Sequence, residues 1–129
     1  MSDDGFGSGA DEEKPTVSDG GTSLLSRVFG ALAEPRRRYV LYYLREHGRA
    51  RVDDLAIQIG AWERDVATAE LSVDDVEQIT LELVHTHLPK LEDAGLVGYD
   101  RRTETVSYDY PPSLLDEALD IAAMIEDHP

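Results

Sequence analysis

The few residues of this sequence that could bind a metal do not form a recognised site. The chain has four histidines and no cysteine, so only imidazoles and carboxylates are available as ligands. Glu82 and His85 stand three positions apart and share one face of a helix, but two such ligands are a weak signal. We interpret His85 as a solvated side chain and His87 as a core histidine that is bonded through one ring nitrogen.

Catalytic signatures are missing from the sequence as well. It contains no glycine-rich phosphate loop, no serine in a nucleophile context and no pair of carboxylates in an apolar setting. We therefore expect a protein that is not an enzyme and that uses no metal and no cofactor.

The arginines are distributed very unevenly along the chain. Acidic residues number 27 and basic residues 12, which gives a net charge of −15, yet residues 23–52 hold seven arginines against two glutamates. Residues 53–100 hold twelve acidic residues against two basic ones. A basic cluster can contact the phosphates of a nucleic acid, or it can pair with the acidic half of its own domain. Both interpretations stay open, and intramolecular pairing is slightly favoured.

Residues 1–22 are predicted to be a disordered acidic tail. They contain six acidic residues, one lysine and five glycines with few apolar residues, and such a composition buries too little surface to fold. The rest of the chain keeps a net charge of −10 together with a regular apolar pattern. Because only two basic residues are lysines, we predict a folded surface adapted to the molar salt of a halophile.

The length and the apolar runs point to one domain that is not embedded in a membrane. A chain of 129 residues suits a single hydrophobic core. Its longest apolar run is six residues, Tyr39–Leu44, against the roughly 20 that a membrane helix needs. The amino terminus lacks the basic start and the apolar stretch of a secretory signal. We expect a cytoplasmic protein.

Apolar residues at helical spacing predict two helices after the tail. The first carries its stripe over residues 24–32 and would be capped by Thr22 or Ser23. The second begins at Pro35, whose missing amide is tolerated in a first helical turn, and ends at Gly48.

A third helix and a long connection follow. Residues 50–52 are predicted to be extended, and Asp53 or Asp54 opens a short helix with a buried stripe. The stripe comprises Leu55, Ala56 and Ile59. Residues 60–71 show no clear period, so we predict a connection there. It contains Trp62, which is either a loop anchor or a partner contact.

Ser72 is predicted to cap a long helix that Gly95 ends. At 100° per residue its side chains sort into an apolar and a polar face. The apolar face comprises Val73, Val76, Ile79, Leu83, Val84, His87, Leu88 and Leu91. The polar face comprises Asp74, Asp75, Gln78, Glu82, His85, Thr86, Pro89, Glu92 and Asp93. Pro89 removes one backbone hydrogen bond, so we expect a bend there.

A β-hairpin and a terminal helix complete the pattern. Alternating apolar residues predict strands at 96–99 and 105–110. Ser113 and Asp116 form a predicted capping box for a last helix within residues 111–129. Its apolar stripe comprises Leu115, Ala118, Leu119, Ala122 and Ile125. This stripe either packs on the domain or pairs with its copy, and we favour a homodimer.

This order of elements is typical of a winged helix-turn-helix domain, a mainly α fold with a β-hairpin wing, which we place at residues 23–110. Residues 32–44, LAEPRRRYVLYYL, resemble the helix of ArsR-type repressors that begins with Asp-Pro and runs through basic residues to an Ile-Leu pair. Residues 87–97, HLPKLEDAGLV, resemble the end of their recognition helix. The resemblance covers residues 25–110. The sequence is also similar to a family of small acidic winged-helix proteins from halophilic archaea.

The resemblance implies a homodimeric regulator of transcription that binds double-stranded DNA. The candidate DNA-binding residues are Arg36, Arg37, Arg38, Gln78, His85, Thr86, Lys90, Arg101 and Arg102. The arginines would contact phosphates, and the other residues would lie on the outer face of the recognition helix.

The sequence departs from the ArsR-type pattern at two places. About twelve residues separate the third helix from the recognition helix, and a proline stands at position 89 instead of a basic residue. Five carboxylates also lie on the outer face of the recognition helix, where they would repel phosphate. They favour an alternative function, that of a winged-helix protein-interaction module without DNA binding.

Overall fold

The computed structural model describes residues 21–109 and 111–128. Its helices are α1 (Gly21–Leu32), α2 (Pro35–His47), α3 (Val52–Arg64), α4 (Val73–Glu82), α5 (Leu88–Asp93) and α6 (Ser113–Ile125). Its strands are β1 (Arg49–Arg51), β2 (Gly98–Asp100) and β3 (Thr105–Ser107). The protein is thus mainly helical with a small antiparallel sheet, as predicted. The predicted tail lies outside the described residues, apart from the first two residues of α1.

The sheet has the strand order β1-β3-β2. Val106 on the central strand pairs with Ala50 on one side and with Tyr99 on the other. The predicted hairpin is therefore confirmed, with strands shorter than expected, and Tyr110 lies outside the described residues. The piece that was predicted to be extended, residues 50–52, corresponds to strand β1, Arg49–Arg51, which adds a third strand to the hairpin. Ala50 and Val106 are buried, so this row of the sheet faces the core.

The start of the first helix differs from the prediction, whereas the second helix matches it. Ser23 lies inside α1, where its hydroxyl accepts a hydrogen bond from Arg27, so the predicted cap is wrong. The second helix begins at Pro35 as expected. It ends at Gly48, whose φ of 82° suits a glycine.

The third helix is longer than predicted at both ends. It starts at Val52 with Arg51 as its N-cap, so the predicted start at Asp53 or Asp54 was wrong, and it continues to Arg64. The connection predicted for residues 60–71 is helical in its first part and ends with a 3₁₀ turn, Thr68–Glu70.

Gly60, the first residue of the predicted connection, lies within the helix and close to α4. A Cβ added to Gly60 would lie 2.9 Å from Cδ1 of Ile79 and 3.0 Å from Cδ1 of Leu71. The missing side chain therefore lets α4 approach α3 closely, and the glycine does not end the helix.

Residues 73–93 are helical throughout, as predicted, but not uniformly so. The hydroxyl of Ser72 accepts a hydrogen bond from the amide of Asp75 at 3.0 Å, which confirms the cap. Between α4 and α5 the chain makes a π turn, Leu83–His87. This turn ends two residues before Pro89, whose ring would clash with the preceding turn of a regular helix. The irregularity expected at the proline is thus located in the preceding turn.

The long helix ends in a Schellman motif at Gly95. The glycine has a φ of 77°, its amide donates to the carbonyl of Glu92, and the amide of Leu96 donates to the carbonyl of Leu91. The end predicted at this glycine is confirmed.

All six helices contribute to one hydrophobic core. Its largest fully buried side chains are Leu41, Leu44, Leu55, Ile59, Ile79, Leu83, Leu88, Leu91, Leu96, Leu115, Leu119 and Val28. Two residues that were assigned to apolar stripes point outward instead, since Val73 is 73% and Ile125 is 77% exposed. Both lie in a terminal turn of their helix, where no element in the described part of the chain covers them. No helix among the described residues is long and apolar enough to cross a membrane.

The last helix folds back on the domain. Leu115 and Leu119 are fully buried, so the first half of the predicted stripe packs against the rest of the core. The predicted capping box is wrong, because Ser113 is already helical and Asp116 accepts a hydrogen bond from the hydroxyl of Tyr108 at 2.7 Å. The pairing of this helix with a second copy of the protein stays a prediction.

Candidate nucleic-acid interface

Two of the three consecutive arginines on α2 bind the C-terminal end of α1. Arg37 is only 8% exposed, and its guanidinium donates to the carbonyls of Ala31 at 3.1 Å and Gly30 at 2.9 Å. Arg38 donates to the carbonyl of Leu32. The last carbonyls of a helix find no amide within it, and cations there complement the helix dipole. Both arginines therefore stabilise α1.

Arg36 and Arg38 also connect α2 to three other helices. Arg36 makes two hydrogen bonds of 2.8 Å with Glu63 on α3 and contacts Glu82 on α4. Arg38 makes two hydrogen bonds, of 2.9 and 3.0 Å, with Glu126 directly after α6. Glu63 and Glu82 belong to the acidic residues 53–100, whereas Glu126 lies beyond the domain that was placed at residues 23–110. The prediction that the basic cluster pairs within its own domain is therefore confirmed for Arg36.

His87 is a core histidine, as predicted. It is buried, and its Nδ1 lies 3.5 Å from Nη1 of Arg37. Burial lowers the pKa of His87, and the positive charges of Arg37 and Arg36 lower it further. A neutral imidazole accepts through Nδ1, and this fits the arginine on that side.

On α4, the predicted outer-face residue Gln78 is engaged within the protein. Its amide donates to Oε2 of Glu82 at 2.8 Å. This hydrogen bond and the neighbouring Arg36 lower the pKa of Glu82. Glu82 is thus already bound on two sides and does not pair with the exposed His85. Among the described residues, no group of three or more histidines and carboxylates could hold a metal ion.

The hairpin contacts the end of the long helix through Arg101. Its guanidinium lies 3.1 Å from Oε1 of Glu92 on α5 and 4.6 Å from the centre of the Tyr99 ring. The turn itself is held by Asp100, whose carboxylate accepts the amide of Arg102 at 3.0 Å. The side chain of Arg102 is exposed and makes no ion pair with any residue that the structure describes.

Five of the nine candidate residues lie on the second half of the long helix or in the hairpin turn, and all five are exposed. This group, which we call the hairpin surface, comprises His85, Thr86, Lys90, Arg101 and Arg102. Arg36, Arg37 and Arg38 make hydrogen bonds to other elements of the fold, whereas Gln78 is exposed and bonds to Glu82 within its own helix. The structure thus separates a set that the sequence treats as one.

Two exposed arginines on the sheet were not among the candidate residues from the sequence. Arg49 and Arg51 flank the buried Ala50 on β1, so both point to the outer side of the sheet. Arg51 stands opposite Thr105, next to the hairpin turn. The alternation Arg-Ala-Arg was the available signal, since side chains of a strand alternate between its faces.

The first half of the long helix presents a different surface. Val73 and Leu81 are 73% and 54% exposed, and the exposed Asp74 and Glu77 lie beside them. This part of the helix is acidic and apolar, and it has little that could approach phosphate.

An apolar groove lies between α1 and α6. It has a volume of about 380 Å³, and Phe29, Leu114 and Ile121 are among its lining residues. The large exposed apolar side chains of these two helices are Leu25, Phe29, Ile121, Met124 and Ile125. Such a concentration of exposed apolar residues is typical of an interaction surface.

Comparison with known families gives a match to a domain of unknown function. The profile of a domain of unknown function, DUF7344, matches residues 29–107. This range extends from within α1 to the end of β3. It contains Arg36, Arg37 and Arg38 of α2 as well as the hairpin surface. Neither the curated proteins nor the solved structures give a match. Because the profile covers more than half of the sequence, the chain belongs to the DUF7344 family.

Proposed function

We propose that this protein is a DNA-binding regulator of transcription with a winged helix-turn-helix fold, and that it acts as a homodimer. The observation that carries the proposal is the contact between Arg101 and Glu92. It places the hairpin turn beside the exposed polar end of the long helix. A helix for the major groove and a β-hairpin beside it are the two contact elements of a winged domain.

The hairpin surface has the chemistry that such an interface needs. His85 and Thr86 carry side chains that can hydrogen-bond to base edges, and Lys90 and Arg102 supply exposed cations for phosphates. The arginines of α2 have no part in this interface, because their guanidiniums hold the domain together.

The charge of the protein determines the conditions in which DNA binding is expected. A net charge of −15 repels DNA in dilute buffer, whereas at 1 M salt the Debye length is only about 3 Å. High salt also weakens the release of counterions that drives most binding to DNA. Specific contacts must then supply a large share of the affinity.

The apolar groove supports the homodimer. A symmetric dimer uses the same patch on both copies, and residues of α1 and α6 would then be buried across the two-fold axis. Two copies would read two half-sites of a palindromic operator.

The first experiment is fluorescence anisotropy with labelled DNA in molar KCl. Fragments from the upstream region of the gene are compared with unrelated DNA of equal length. We expect tighter binding to the upstream fragment. Equal or absent binding by protein with a folded circular dichroism spectrum would contradict the proposal.

The homodimer is tested separately by sedimentation equilibrium of Ile121→Glu. Ile121 is 56% exposed, and Leu81, which is 54% exposed on α4, offers a matched control as Leu81→Glu. We expect Ile121→Glu to be monomeric and Leu81→Glu to remain dimeric. A wild-type protein that is monomeric at high concentration would contradict the dimer and leave DNA binding to be judged by the anisotropy.

A second candidate function rests on the exposed residues of α4. Val73 and Leu81 stand on a carboxylate-rich face, which fits a basic protein partner better than DNA. For this function we expect no DNA binding at any salt concentration and loss of partner binding in Leu81→Glu. Specific DNA binding with wild-type affinity in Leu81→Glu would contradict it.

A further inference from the structure

Three aromatic rings from different parts of the chain line one pocket. Tyr39 comes from α2, Trp62 from α3 and His128 from the residues after α6, and the cavity that they line together with other residues has a volume of about 320 Å³. The Trp62 ring is inclined at 71° to Tyr39 and at 86° to His128, with centroids 5.9 and 4.5 Å apart. Tyr39 and His128 lie nearly parallel, at 25° with 5.8 Å between their centroids, so the three rings pack against one another as one aromatic cluster that lines the cavity.

The C-terminal segment is fixed in place as part of this pocket. The amide of His128 donates to the carbonyl of Ala123 at 2.9 Å, and its ring stacks on Tyr42 with 4.1 Å between centroids. Glu126 is held by Arg38 and by the hydroxyl of Tyr42. Several contacts therefore hold the ring of His128 in its position at the pocket.

The pocket carries negative charge that the protein does not neutralise. Asp65 and Asp127 line it together with Glu126, and Arg38 pairs only with Glu126. Within the described ranges, neither Asp65 nor Asp127 has a hydrogen bond or an ion pair through its carboxylate. Burial lowers the pKa of His128 and outweighs the opposing influence of Glu126, so the ring adds no positive charge at neutral pH.

We propose that this pocket binds a small organic cation of the alkylammonium class. Aromatic faces attract cations, and alkyl groups on nitrogen pack against the rings while the positive charge faces the carboxylates. The volume is within the range of small-molecule sites. A potassium ion matches the site less well, because it has no alkyl groups that could pack against the rings. The proposal does not depend on the proposed function, since the pocket shares no residue with the hairpin surface.

Trp62 makes the site directly observable. It is the only tryptophan of the chain, so its indole N–H gives one resonance in a spectrum of the ¹⁵N-labelled full chain. Tetramethylammonium chloride is added in exchange for KCl at constant chloride. We expect this resonance to shift and to saturate, and to stay in place when KCl alone is varied.

A pair of charge variants tests the role of the carboxylates. Asp65→Asn with Asp127→Asn removes two charges from the pocket, and asparagine tolerates the positive φ of both positions. Asp53→Asn with Asp54→Asn is the matched control at the opposite end of α3. We expect the dissociation constant for tetramethylammonium to rise about threefold to tenfold in the pocket variant and to stay unchanged in the control.

A third variant tests the aromatic walls. Tyr39→Leu removes one ring and should weaken binding, provided that the spectrum shows a folded protein. An indole resonance that does not move, or that moves linearly without saturation, would overturn the proposal. Equal losses of affinity in the pocket variant and its control would overturn it as well.

Discussion

The two arginine clusters of this protein have opposite surroundings. On α2, Arg36, Arg37 and Arg38 are consecutive, so their side chains leave the helix about 100° apart and reach three different neighbours. In the hairpin turn, Arg101 and Arg102 project from a turn with little protein around it. A run of arginines within a packed helix thus connects elements of the fold, whereas at the turn both side chains stay exposed and only Arg101 makes an ion pair, with Glu92.

Arg37→Ala should have the largest effect of any substitution in either cluster. It removes the donors to the carbonyls of Gly30 and Ala31 and the guanidinium beside His87. Loss of such buried hydrogen bonds costs about 3 kcal/mol of the free energy of unfolding. Arg102→Ala, the exposed control, should change it by less than about 0.5 kcal/mol. Urea unfolding in molar KCl measures both, and equal losses would contradict the comparison.

For the affinity for DNA, we expect the opposite order of the two clusters, with the larger effect in the hairpin turn. Arg102→Ala should raise the dissociation constant for DNA about fivefold and reduce the slope of its salt dependence by about 1, because one phosphate contact is lost. Arg36→Ala should leave both unchanged, since its guanidinium is bound by Glu63 and Glu82. Anisotropy titrations at several KCl concentrations measure these values. A larger loss of affinity in Arg36→Ala than in Arg102→Ala would reverse the assignment.

The pairing of Arg38 with Glu126 should appear in the pH dependence of stability. Burial raises the pKa of Glu126, but the hydrogen bonds from Arg38 and Tyr42 and the charge of Arg38 outweigh it, so the pKa is lowered. A carboxyl group with a lowered pKa in the folded state stabilises the protein above its ordinary pKa. This contribution is lost as the pH falls from about 4.5 through the lowered value.

Glu126→Gln removes this titrating group. We expect a free energy of unfolding that is about 1 kcal/mol lower at neutral pH and a smaller further decrease below pH 4.5 than in the wild type. Thermal unfolding across this range measures the difference, with the exposed Glu117→Gln on α6 as a control. Parallel pH profiles for wild type and Glu126→Gln would show that the ion pair contributes nothing.

Most of the fold could be predicted because its signals are local. Pro35 at a helix start, the hydroxyl of Ser72 as a cap and Gly95 as a helix end act within a few residues of the chain, and all three predictions are confirmed. The wrong predictions concern places where contacts with residues distant in the sequence determine the local structure. Gly60 continues a helix because α4 packs against it, and Asp116 binds Tyr108 rather than an amide of its own helix.

The candidate site was less predictable for the same reason. The sequence shows that Arg36, Arg37 and Arg38 are basic, but their partners lie up to 88 positions away. Which guanidiniums are already bound is therefore a property of tertiary packing. Only the buried Ala50 between two outward arginines gave a local sign of residues that the sequence analysis missed.

The smallest effect on DNA binding is expected for a change at Arg101. The surroundings of this arginine are intermediate between those of the two clusters. It is exposed like Arg102, yet it pairs with Glu92. Glu92→Gln should release this guanidinium toward phosphate, and we expect DNA affinity in molar KCl to increase about twofold with a slightly steeper salt dependence. Asp93→Asn is the matched control, because it removes a carboxylate from the same turn without releasing Arg101.

Whether Glu92→Gln raises or lowers the affinity for DNA shows whether Arg101 acts like Arg102 or like the arginines of α2. Tighter binding than in Asp93→Asn means that the arginine acts on DNA once it is free. Weaker binding means that the pair with Glu92 holds the hairpin against α5, so that Arg101 connects parts of the fold as the arginines of α2 do. In that case only Arg102 would remain as a contact to DNA in the hairpin, and the comparison would contrast buried connections with a single exposed cation.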